Sequence, residues 1–62
     1  MDSPDYARLI AIAKSHAETG QYLDWEAVRR RMLFDGWPGA NDLFERLMIQ
    51  ADIDAICKRA RS

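Results

Sequence analysis

Residues 42–60 read DLFERLMIQADIDAICKRA, and how this stretch folds decides the architecture. It holds no glycine or proline, and its apolar residues recur at intervals of three and four, the spacing of an α-helical face. Two apolar seams run along it. Phe44, Met48, Ala51 and Ala55 form the first, with Leu43 and Leu47 alongside. Ile49, Ile53, Ile56 and Ala60 form the second, roughly 100° or more away around the helix. The first seam is enough to pack against two other helices. The second, taken as Ile49, Ile53, Ile56, Cys57 and Ala60, is the expected intersubunit surface. Three isoleucines left in water would make a contiguous apolar stripe, and their spacing suits one helix lying on another across a two-fold axis. A third helix over about 42–60 follows, either continuous or bent or split near 50–52, where Asp52 can cap a new turn. Asp42 and Glu45 have capping-box spacing at its start.

Working outward, Gly36 is the stop of a second helix over about 25–35. Trp37 stands where a Schellman motif brings an apolar residue back onto Met32, and Pro38 bars continuation. Asp24 is the expected N-cap, with Glu26 favoured by the helix dipole. Leu23 and Val28 are spaced as a hydrophobic staple. Trp25, Val28 and Met32 form the buried stripe. Earlier still, Ser3-Pro4 reads as the start of a first helix over about 4–19, and Gly20 as its end. Its core face is Tyr6, Leu9, Ile10, Ala13 and Ala17, with Ile12 and His16 at the edge. No segment alternates with period two. The fold class predicted is all-α, a single domain over 1–62 built as a small bundle of three helices.

The 62 residues are 48% hydrophobic and 31% charged, with net charge −1. A domain this small buries a limited core, which rarely supplies more than roughly 3–5 kcal/mol. One cysteine, Cys57, closes no disulfide within the chain, and with the single His16 it makes no ordinary zinc cluster. Self-association is the remaining route to added stability. The acidic start lacks the pattern of a signal peptide, and the longest unbroken apolar run, Leu9–Ala13, is too short to span a bilayer. A cytoplasmic protein with no membrane contact is expected.

Little points to catalysis. His16 reads as a histidine completing the core edge, because a general base needs a nucleophile and an orienting group beside it. Cys57 lies near a helix C-terminus, where the dipole discourages a thiolate. Asp52 and Asp54 form a D-x-D without the glycine and glutamate of a calcium loop. No catalytic, cofactor or metal residues are assigned, and the chain is read as a non-enzyme. Arg29, Arg30 and Arg31 are the candidate nucleic-acid contacts, set in a helix-turn-helix-like arrangement around residues 36–40. Consecutive helical residues fan about 100° apart, however, and Asp42 and Glu45 would repel phosphate at the reading position. Trp37 is either a lid on the core or an exposed partner anchor.

In general type the chain resembles small bacterial helical regulators, accessory subunits and antitoxins, although no motif ties it to one family. The function expected is a protein–protein interaction or regulatory module. Its partner would be a second copy or another subunit, and the alternative is a small helix-turn-helix DNA-binding regulator.

Overall fold

The computed structural model describes residues 5–62. It comprises four helices: α1 (Asp5–Glu18), α2 (Trp25–Phe34), α3 (Ala40–Leu43) and α4 (Leu47–Arg61). The described residues form no strand, as expected for an all-α bundle. The Ser3-Pro4 start assigned to the first helix lies outside the described residues.

The local signals of α1 and α2 act as their chemistry requires. Gly20 takes φ +77° beyond the end of α1, a left-handed conformation that glycine adopts without steric cost. The Asp24 carboxylate accepts the Ala27 N–H at 3.1 Å. At the other end, Gly36 takes φ +93°. Its N–H donates to the Leu33 carbonyl at 3.1 Å, and the Trp37 N–H donates to the Met32 carbonyl at 3.0 Å. This pair of bonds is the Schellman motif. The staple is not formed as expected: Val28 is fully buried, but Leu23 is 66% exposed. Asp24→Ala is expected to cost about 0.5–2 kcal/mol of stability, and Glu26→Ala less, since Glu26 acts through the dipole and surface pairs. Urea unfolding of both variants checks the ranking.

The third predicted helix is two. It breaks at residues 44–46, earlier than the 50–52 bend read from Asp52. Arg46 is extended, with φ −86° and ψ 122°, and no glycine or proline marks the place. Packing supplies the reason. On one straight helix Phe44 would face the same way as Met48, Ala51 and Ala55, while Ile53 would face the opposite way. Breaking the helix after Phe44 lets both be buried. The break is stitched locally, because the Gln50 side-chain amide donates to the freed Phe44 carbonyl at 2.8 Å. The Arg46 guanidinium lies over the Tyr6 ring, 4.9 Å from its centroid, which ties the corner to α1. The Asp42–Glu45 capping box is not formed: α3 begins at Gly39 without a side-chain cap, and the Glu45 N–H donates to the Asp42 carbonyl.

The core follows. Leu9, Ala13 and Ala17 come from α1, Val28 and Met32 from α2, and Ala40, Leu43 and Phe44 from α3 and its end. Ile53 and Cys57 come from α4, with Ile49 and Ile56 packed beside them. α1 packs most extensively on α4. Where they meet, a β-carbon on Gly20 would lie 3.1 Å from the Ala60 carbonyl oxygen.

Candidate interaction surface

The two seams exchange the roles expected of them. Ile53 is 1% exposed and Cys57 fully buried, and Ile49 and Ile56 are half-buried against the core. Of the expected intersubunit surface, only Ala60 is open to solvent. That assignment is corrected: the second seam is the chain's own core, because the break at 44–46 turns it inward.

What is left outside is most of the first seam. Leu47 and Met48 are 77% and 78% exposed, and Ala51 and Ala55 on the same face of α4 are also open. Leu23, from the α1–α2 connection, borders this face across a groove of about 540 Å³ that Ala51 and Ala55 line. Asp24 and Asp54 line it as well, and Lys58 and Arg61 continue it toward the C-terminal end of α4. Asp54 also has a structural duty: its Oδ1 accepts the Trp25 N–H at 2.9 Å. The first turn of α2 is thus capped by its own Asp24 and by a carboxylate from α4. Arg61 donates to the Leu23 carbonyl at 3.4 Å, which holds the groove's far wall near α4.

The other sequence candidates lie elsewhere. Arg29, Arg30 and Arg31 fan around α2, and each meets a polar partner. Arg29 donates to the Asn41 side chain at 3.0 Å, Arg30 lies 3.5 Å from Glu26, and Arg31 lies 3.1 Å from Asp35. The helix following the turn, α3, has four residues, so the geometry of a helix-turn-helix with a groove-reading second helix is absent there. Trp37 is half-buried against the core, held by its Schellman bond. His16 is half-buried too, edge-on to Tyr22 at 5.6 Å, with its Nε2 3.8 Å from an Asp35 carboxylate oxygen. No group of three or more histidine, cysteine, aspartate or glutamate side chains is placed to hold a metal among the described residues. No described helix is long and apolar enough to cross a membrane.

Burial pushes the Cys57 thiol up from its ordinary value, and the Asp54 and Asp24 carboxylates add to the shift. The thiolate is the reactive form, so Cys57 should resist alkylation in the native chain and label fully in denaturant, read by mass spectrometry. Rapid labelling of the native chain would place the thiol at the surface. The folded chain holds this proton more tightly than the unfolded one. The stability it contributes is therefore complete below the ordinary thiol range and is lost as pH rises through it.

Fold and surface together define a small all-α domain with an uncovered apolar helix face. Compared with protein-family models, with curated proteins and with solved structures, the chain matches none.

Proposed function

We propose that the chain is a protein–protein interaction module of regulatory or accessory-subunit type, working through the outer face of α4. One observation carries this reading: Leu47 and Met48 stand more than three-quarters exposed on one helix face, beside a groove walled by Leu23. Single exposed apolar residues are ordinary, whereas a contiguous apolar surface with a polar rim is the usual form of a docking site. Methionine suits such a place, because its unbranched, polarisable side chain adapts to the surface it meets. Asp24, Asp54, Lys58 and Arg61 supply the rim. A lone buried thiol fits a reducing compartment, the cytoplasm.

The test is photo-crosslinking in the cells that encode the protein, with a benzophenone-bearing residue at position 48 or, as control, at position 14 on the exposed side of α1. A discrete protein adduct from position 48 and none from position 14 is the expected result. No adduct from position 48, or equal adducts from both, would overturn the reading.

A further inference from the structure

Resting on that reading, we infer that the occupant of the α4 face is the same face of a second copy, paired antiparallel about a two-fold axis. The argument is self-complementarity of shape and of charge. A two-fold perpendicular to α4 at the Ala51–Asp52 turn sets Met48 of each copy opposite Ala55 of the other. There the protruding thioether meets the groove that Ala51, Ala55 and Leu23 line. The small alanines leave room for it, and the knob and its hole lie on one continuous face, so one contact made twice closes the assembly.

The charges run the right way for this pairing. The corner before α4 is acidic at Glu45, and the last turns of α4 are basic at Lys58, Arg59 and Arg61. The same two-fold brings Glu45 of one copy to Lys58 of the other. Such an axis preserves the side of the helix, so both residues must lie on the same flank. They do: Glu45 shares a cleft with Trp25 and Gln50, and Lys58 shares one with Asp24 and Leu23. Both clefts lie on the flank of α4 that faces α2. A parallel pairing would instead set acid against acid and base against base. One helix face and a neighbouring leucine fall below the ~1,200 Å² of a standard interface, so the dimer is weak and concentration-dependent.

Sedimentation equilibrium of the full chain, from micromolar to millimolar, tests this. The wild type is expected to rise toward twice the chain mass. Met48→Glu should stay a monomer with an unchanged helical circular dichroism spectrum. Lys58→Glu should weaken the dimer about tenfold by setting like charges together across both symmetry-related contacts. Combining it with Glu45→Lys should restore the affinity, an outcome that a merely structural role for either residue would not produce. A wild type that stays monomeric at millimolar concentration while position 48 crosslinks a different protein overturns the second-copy inference and leaves the interaction reading standing. A monomer with no crosslink at position 48 overturns both. A dimer indifferent to Met48→Glu and to the charge exchange has its contact elsewhere and overturns the inference as well.

Discussion

Replacing Ile53 with aspartate is expected to unfold the chain outright. Ile53 is 1% exposed and belongs to the core that all four helices share. The change removes a large apolar side chain, a loss typically worth about 2–5 kcal/mol when an isoleucine becomes alanine. It also puts a carboxylate where burial without a partner costs several kcal/mol more. A core that holds roughly 3–5 kcal/mol in total does not survive this. Circular dichroism at 25 °C should report a largely disordered chain. Met48→Asp, on the opposite face of the same helix, should melt within about 0.5 kcal/mol of wild type, as surface changes generally do. The contrast between the two variants decides which seam of α4 is inside. An Ile53→Asp chain that stayed helical while Met48→Asp unfolded would restore the first seam to the core.

Phe44→Ala is expected to cost about 3–5 kcal/mol, the range for deleting a large buried aromatic. Phe44 is the largest fully buried side chain, at 2% exposure. Its ring stacks on Trp25 with centroids 5.7 Å apart and planes 17° from parallel. Truncation leaves a cavity where α2 meets the α3–α4 corner and strips Trp25 of its partner. Trp25→Ala removes the same stack from the other side and should fall in the same range. Because the two residues touch, the double variant should cost less than the sum of the singles. Urea midpoints of the three variants measure this. A Phe44→Ala chain that unfolds with wild type would mean the ring is not in the core.

Other effects are smaller because their surroundings are wet. The pairs made by Arg29, Arg30 and Arg31 lie on the surface, where such contacts are worth about 0–1 kcal/mol. They keep the three guanidinium groups spread around α2 and do not gather them into one basic patch.

The sequence by itself determined what local hydrogen bonding controls. Asp24 caps α2 across three residues, and the Gly36–Trp37 turn closes its far end across five. Gly20 ends α1 at a backbone conformation suited to glycine. The α1 stripe of Leu9, Ala13 and Ala17 is buried as its spacing predicts, since that helix carries a single apolar face. Residues 42–60 are different, because they carry apolar residues on two faces, and periodicity finds both without ranking them. Which face turns inward depends on how α1 and α2 leave room for Phe44 and Ile53 together, and they do so only if the backbone breaks between. No glycine, proline or capping side chain announces that break. Its stabilisation comes from Gln50 reaching back to Phe44 and from Tyr6, forty residues away, lying under Arg46. Asp54 is the same kind of case. Its carboxylate caps a helix that starts twenty-nine residues earlier, so the tertiary fold alone gave it that role. The exposed Leu23, Leu47 and Met48 followed from the same decision, because once the isoleucine seam filled the core, the other seam was left in water.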